Sequence, residues 1–383
     1  MSEAKWLRLV LVMVALTAMT GCWDYKEYES MALVRTIGID VDKSGKFLLT
    51  YEIIKTHESN MDGNKAKEVV QGAGKTLTEA FDNLQTVVPE ELFLGYATSV
   101  IISEDAAKRH LRTIMDLLFI NPSMRESVFL AFTKDKPEEI LKLSIGKSDL
   151  LVGESLVDFF KISKSVGVSF PVRLREFNKM LMAEGVEPVA PSLRIDGNGK
   201  LKLSDIVVFD GFKPAGVLDG EQSKGLARIV NLDIQERPSI TIQAPGTGHS
   251  VTAVFRISDN RSRIRTVAGK DAPEAFIKTK ANATMIQIGG DIEAITPDIL
   301  RACERELERL VKSEIEAAIA KAQKEYKSDF LGIGQIVYRQ HRGQWKTNYK
   351  PKWDDVFPKV PIHADVKIKV LNSGTKVVPL SEQ

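Results

Sequence analysis

Arg261, Arg263 and Arg265 alternate with Ser262 and Ile264. On a strand, where successive side chains point to opposite faces, that spacing projects three guanidinium groups from one side. A guanidinium is a rigid planar fork of donors, so a row of them suits bidentate pairing with carboxylates or phosphates. These arginines are the candidate partner-binding residues; the competing reading is a solvated strand face. Other chemical patterns each lack a required member. Gly72-Ala73-Gly74-Lys75-Thr76 ends like a phosphate-binding loop, but Val69 stands where that pattern needs its first glycine, so a Gly-rich loop leading into a capped helix is expected. Gly246-Thr247-Gly248 and Gly332-Ile333-Gly334 carry Val251 and Val337 in place of the third glycine of a dinucleotide fingerprint and read as turns. His57, His110, His249, His341 and His363 are scattered, with no pair spaced to place two ligands on one helical face. No metal and no cofactor are expected. A Gly-x-Ser-x-Gly elbow is absent, and Cys303 falls in an apolar helical stripe with no base nearby in sequence. No catalytic residue is assigned, and the chain reads as a non-enzyme.

The N-terminus carries a different chemistry. Lys5 and Arg8 precede an apolar run from Leu9 to Met19, broken only by Thr17 and ending in Thr20-Gly21-Cys22. As a helix the run spans roughly 16 Å, about half of a ~30 Å hydrocarbon core, so it reads as the core of a signal peptide over residues 1–21. Small residues directly before a cysteine resemble the lipobox of bacterial lipoproteins, in which the thiol receives a diacylglyceryl group and the chain is cut just before it. Met19 stands where leucine is usual. Cys22 is the expected lipid attachment site, which places the mature body on the extracytoplasmic face of a membrane. Its only companion is Cys303, so no intramolecular disulfide is available. Lys and Arg number 53 against 51 Asp and Glu, a balance that implies neither nucleic-acid binding nor bulk adhesion to a charged surface.

The elements that must position these residues alternate at first. Leu33 to Asp40, the turn residues Asp42-Lys43-Ser44-Gly45 and Phe47 to Ile54 read as a hairpin. Helical spacing follows at Thr76–Val87, with Thr76 and Glu79 as a capping box, and at Glu104–Phe119 after a strand at Thr98–Ile102. Val128–Phe132 reads as a strand, Pro137–Leu143 and Leu174–Glu184 as helices, and the proline-bearing Val186–Pro191 as a linker or edge. At Asp196-Gly197-Asn198-Gly199 the pattern turns β-rich, with strands at Ile206–Phe209, Pro214–Leu218, Ile240–Gln243, Val251–Ile257 and Met285–Ile292. The expected units are therefore 22–196, a mixed α/β domain, and 197–383, divisible at 268/269. A long amphipathic helix at 299–327 carries Leu300, Cys303, Leu307, Leu310, Val311, Ile315, Ala318, Ile319 and Ala322 along one stripe. The fold class is α+β, multidomain, with sheets flanked by helices.

Two blocks resemble the Ger(x)C family, the lipoprotein C subunits of spore germinant receptors. One is Gly21-Cys22-Trp23-Asp24 with Glu29 and the hairpin residues Ile37-Gly38-Ile39-Asp40. The other runs Lys327-Ser328-Asp329-Phe330-Leu331-Gly332-Ile333-Gly334, Trp345-Lys346, Trp353, Phe357 and a closing strand from Ile362 to Val370 near Gly374. Asp205 to Gly211 and Ala215 to Leu218 are similar to the family's middle hairpin, with Asp210 where a lysine is common. The resemblance implies a non-catalytic subunit of the receptor through which a dormant spore senses nutrients, beside A-type and transporter-like B-type subunits in the inner spore membrane. Two other readings compete with it. An extracytoplasmic solute-binding lipoprotein of a transporter would show two similar α/β lobes, and a cell-wall hydrolase would want paired carboxylates or a metal. Trp345, Trp353 and Phe357 are expected to pack the final segment onto the core.

Overall fold

The structure, a computed structural model, describes Trp6 and residues 31–59, 65–143, 151–166, 169–232, 234, 236–245, 248–290 and 295–371. Cys22, Trp23-Asp24 and Glu29 lie outside the described residues. β1 (Met31–Val41) and β2 (Phe47–Ser59) form the expected hairpin, with Ile37 opposite Tyr51 and Ile39 opposite Leu49. Its turn is fixed by the Asp42 carboxylate, which accepts from the backbone N–H of Ser44 at 2.8 Å and of Lys46 at 2.9 Å. β3 (Lys65–Gly74) pairs with β2, so the glycines expected in a loop end a strand instead. Their service is close approach: a Cβ on Gly72 would lie 2.2 Å from the Ala80 carbonyl oxygen of α1 (Leu77–Gln85). Thr76 does cap α1, accepting from the Glu79 N–H at 3.1 Å while Glu79 accepts from Lys75 N–H at 2.7 Å.

The chain continues through β4 (Glu91–Phe93), β5 (Ser99–Ser103), α2 (Glu104–Ile120), β6 (Phe129–Thr133), α3 (Pro137–Leu141), α4 (Val152–Val166), β7 (Val172–Arg173) and α5 (Leu174–Met182). It then forms β8 (Val189–Ile195), β9 (Leu201–Asp210) and β10 (Lys213–Leu218). The first sheet is ordered β10-β9-β8-β6-β5-β1-β2-β3, with β4 on β1 and β7 on β6. Val186–Pro191, expected as a linker or an edge, instead leads into β8, an interior strand between β6 and β9. Pro188 precedes that strand, and Pro191 sits at the register irregularity before Leu193, one of the few interior places a sheet tolerates proline. The turn at Asp196–Gly199, where the unit boundary was expected, joins β8 to β9 within this one sheet.

α6 (Gly220–Ile229) leads to the second sheet: β11 (Ser239–Gln243), β12 (Ser250–Val267), β13 (Glu274–Gly289) and β14 (Ile362–Leu371), in that order. β14 runs parallel to β13, reached through α7 (Pro297–Ala320), a wider turn at Lys321–Glu325 and α8 (Ile333–Gln340). Cys303, Leu307, Val311, Ile315 and Ala318 of α7 are fully buried along the expected stripe. Burial pushes the Cys303 thiol up to about 11, which marks it as a core residue. The outer edge of β14 is covered by α7, because the N–H groups of Ile368 and Val370 donate to Glu308 at 3.2 Å and Glu304 at 2.9 Å. One apolar core takes in residues of both sheets. Among the described residues no helix is long and apolar enough to cross a membrane.

Candidate functional site

The arginine row owes its direction to one extra residue. From Val251 to Ile257 the odd-numbered residues of β12 point into the core. Between Ser258 and Arg261 the strand holds one residue more than β13, since Ser258 pairs with Asn282 and Arg261 with Lys280. Such a bulge inverts the alternation. Asp259 supplies it in the left-handed region at φ 55°, where Asp is among the few tolerated side chains, and its carboxylate accepts from Asn282 Nδ2 at 3.0 Å. Beyond the bulge Ser262 and Thr266 point inward, Ser262 Oγ lying 2.7 Å from Thr279 Oγ1, and Arg261, Arg263 and Arg265 point outward and are exposed. The structure thus brings all three together, and it adds neighbours that strand spacing alone did not reveal. Arg261 pairs across to Lys280 and on to Lys367, and Arg263 to Lys278 and on to Asp365. Lys369 follows Lys367 on the same face of β14. Among the described residues Asp365 pairs with Lys278 at 3.7 Å, while the three arginines form no ion pair.

The second cluster is buried. Asp329 accepts from the N–H groups of Ile333 at 3.0 Å and Gly334 at 2.7 Å, and from Trp353 Nε1 at 3.1 Å. Gly334 has no room for a side chain: a Cβ would meet Gly185 Cα and the Trp353 ring at 2.8 Å. Ser328 Oγ donates to the Phe209 carbonyl at 2.6 Å, and Gln335 N–H to the Gly185 carbonyl at 2.7 Å. Trp345, Trp353 and Phe357 are buried as expected, with Trp345 and Trp353 edge to face at 5.1 Å. Trp345 Nε1 donates to Glu184 at 2.8 Å, and Lys350 does so at 2.6 Å, which together hold the Glu184 carboxyl below its usual range. The Ser328-to-Gly334 block is thus a clamp fastening the C-terminal segment to the first sheet and to the 184–187 loop. Burial pushes Asp329 up to about 8 against the pull of its three donors. It pushes Glu187 to about 7, with Asp210 and Asp354 adding to the rise.

A third cluster escaped the sequence. Arg228 of α6 is wholly buried, donating from Nε to Glu314 of α7 at 2.8 Å and pairing with Glu236, to which Lys224 Nζ also comes within 3.0 Å. Glu314 lies 86 residues along the chain and Glu236 just beyond the end of α6, so the local signal was α6 itself, marked by the capping box of Asp219 and Gln222. Between the two halves lies a cleft of about 630 Å³ lined by Phe170, Met180, Leu226, Ile264, Leu331 and Ile336. His341 Nε2 lies 2.9 Å from the Thr266 carbonyl, and His363 lies 2.9 Å from Glu274. Among the described residues no three of His, Cys, Asp and Glu are grouped to hold a metal.

Two family models match the chain. Residues 24–195 match the spore germination protein N-terminal domain, and residues 204–374 match the spore germination B3/GerAC-like C-terminal domain. The junction falls in the β8–β9 hairpin. Spore germination protein KC of Bacillus subtilis is 24% identical over 99% of this chain and 98% of its own length. Spore germination protein B3 of the same organism is 22% identical over 94% and 96%. The crystal structure of the GerBC protein superposes with a TM-score of 0.52 at 16% identity, covering 88% of this chain and 97% of that one, a likeness of fold. Matched in both its halves, with Asp329, Gly334 and Trp353 building the clamp that its closing block encodes, the chain belongs to the Ger(x)C family of spore germination proteins.

Proposed function

We propose that this chain is the C subunit of a spore germinant receptor, a non-catalytic component needed for nutrient-triggered germination through contacts with A-type and B-type membrane subunits. The observation that carries the reading is the match to both domains of a spore germination family across residues 24–195 and 204–374. A diacylglyceryl group on Cys22 holds the body at the outer face of the inner spore membrane. Tethering raises the effective concentration of the body beside its partners, so modest contacts suffice to hold the complex. Arg261, Arg263 and Arg265 lie on the surface through which the body meets an anionic counterpart in that membrane assembly. Binding rather than turnover fits the use already made of these polar groups: buried Asp329, the half-exposed Glu184 and the buried Arg228 cluster are each engaged in joining one element to another. Affinity purification of the tagged full chain from detergent-solubilised spore membranes tests this. A-type and B-type subunits should co-purify, with Cys22→Ala reducing the membrane-bound fraction; a chain that leaves the membrane alone, with neither subunit, would overturn it.

A further inference from the structure

The row that spacing revealed is one edge of a larger feature. Across β12, β13 and β14 the outward positions place Arg261, Arg263, Arg265, Lys278, Lys280 and Lys369 on one open face, with Lys367, which pairs with Glu308 at 3.7 Å, beside them, and with the acids Asp365 within the rows, Asp259 at the bulge and Glu274 at the far end. Strands lie about 4.8 Å apart and alternate residues about 6.7 Å apart along each, so these cations form a two-dimensional grid. Two of the cross-strand pairs, Arg261 with Lys280 and Arg263 with Lys278, set like charges directly opposite, an arrangement that weakens a sheet. A surface that retains such pairs is organised for something outside the chain. The whole chain carries a formal charge of only +2, so a face this basic leaves the remainder acidic on balance and gives the body a preferred orientation toward a negative surface.

We propose that this face of the second sheet rests on an anionic lipid surface and sets the orientation of the body on the membrane, a role that rests on the membrane-tethered reading above. Four of its cations are lysines, which are depleted in protein–protein interfaces and suit hydrated phosphate headgroups. The face is a broad, open sheet surface whose charges repeat in two directions, as headgroup phosphates do. At one end Phe276, 39% exposed, and Val267, 45% exposed, lie on the same side as Arg265, an apolar margin of the kind that inserts at a bilayer interface. The lipid on Cys22 confines the body, and this face determines which side is presented to the bilayer and which to the partner subunits.

The test uses the full chain carrying Cys22→Ala, mixed with vesicles of phosphatidylcholine alone or with phosphatidylglycerol, and sedimented. The measured quantity is the ratio of anionic to neutral binding, in which the contribution of the apolar N-terminal run cancels, while that of Lys5 and Arg8 is common to parent and variant. It should exceed about a hundredfold at low salt and collapse at high salt. With each cation near the surface contributing about fivefold, Arg261→Glu, Arg263→Glu and Arg265→Glu together should lower it by about a hundredfold or more. Should that variant misfold, Lys278→Gln, Lys280→Gln and Lys369→Gln together remove charge without reversing it and should lower the ratio by about fivefold for each cation. A parent chain with no preference for anionic vesicles, or a preference that survives in a folded variant, overturns the proposal. Loss of subunit co-purification without any vesicle preference would instead assign the face to a protein partner and leave the receptor reading standing.

Discussion

The clamp around Asp329 and the outer face of the second sheet treat charge in opposite ways. At the clamp each charged or polar group has a partner within the chain: Asp329 accepts from two backbone N–H groups and Trp353, and Glu184 from Trp345 and Lys350. On the sheet face the arginines lack an acidic partner among the described residues, and the cross-strand neighbours of Arg261 and Arg263 are lysines, while that of Arg265 is Phe276. An isolated buried charge is so costly that burial forces internal pairing, whereas an exposed cation is solvated at little expense and remains available. Internal satisfaction therefore marks the part of the molecule that holds it together, and unsatisfied like charge marks the part proposed to meet an outside surface.

The largest effect should come from the residue that separates the two fates. Deleting Asp259 removes the bulge and turns the positions of Arg261, Arg263 and Arg265 toward the core, so the chain should not accumulate in folded form. Circular dichroism of the purified deletion variant checks this; a native spectrum and melting temperature would show that the bulge does not set the alternation. Next comes Trp353→Ala, which empties a buried ring site and takes a donor from Asp329. It should cost about 3–5 kcal/mol by denaturant unfolding.

A smaller effect follows from pH. Glu187 and Asp329 hold their protons to a higher pH in the folded chain than when unfolded, so their contribution is full below the ordinary carboxyl range. It is lost as pH rises through about 7 for Glu187 and about 8 for Asp329. The melting temperature should therefore fall between pH 5 and pH 8.5, and Glu187→Gln should flatten the slope; a melting temperature that rises across this window would contradict the burial account. Smallest of all, Arg261→Glu, Arg263→Glu and Arg265→Glu together should shift stability within about 0.5 kcal/mol, as substitutions on an exposed surface do, because new pairs with Lys278 and Lys280 replace like-charge contacts. A loss as large as that of Trp353→Ala would erase the distinction between the two regions.

How far the sequence could be read depended on the range of the interactions. The hairpin of β1 and β2, the cap at Thr76 and the stripe of α7 are set by neighbours a few residues apart, and periodicity displays them. The outward aim of the arginines was legible only as a condition, that Arg261 to Arg265 form a strand; the bulge at Asp259 that satisfies it is fixed by pairing with Asn282. The Ser328-to-Gly334 block stood out through family resemblance, but its purpose did not, since Gly185 and Trp353 reach it from other elements. β8 was misread because two prolines argue against a strand locally, while partners on both sides and a register irregularity outweigh them. The Arg228 cluster showed locally only its helix, because Glu314 lies 86 residues away and Glu236 beyond the end of α6.

Nutrient-triggered germination of spores whose sole copy of this chain carries Arg261→Glu, Arg263→Glu and Arg265→Glu tests most directly whether the exposed face, and not only the fold, performs the function. Chain abundance is measured in the same spores, with deletion spores as the reference. The expected result is a chain present at the wild-type level in spores that respond as poorly as the deletion. Spores that germinate at the wild-type rate with the triple variant, while deletion spores remain impaired, would contradict it.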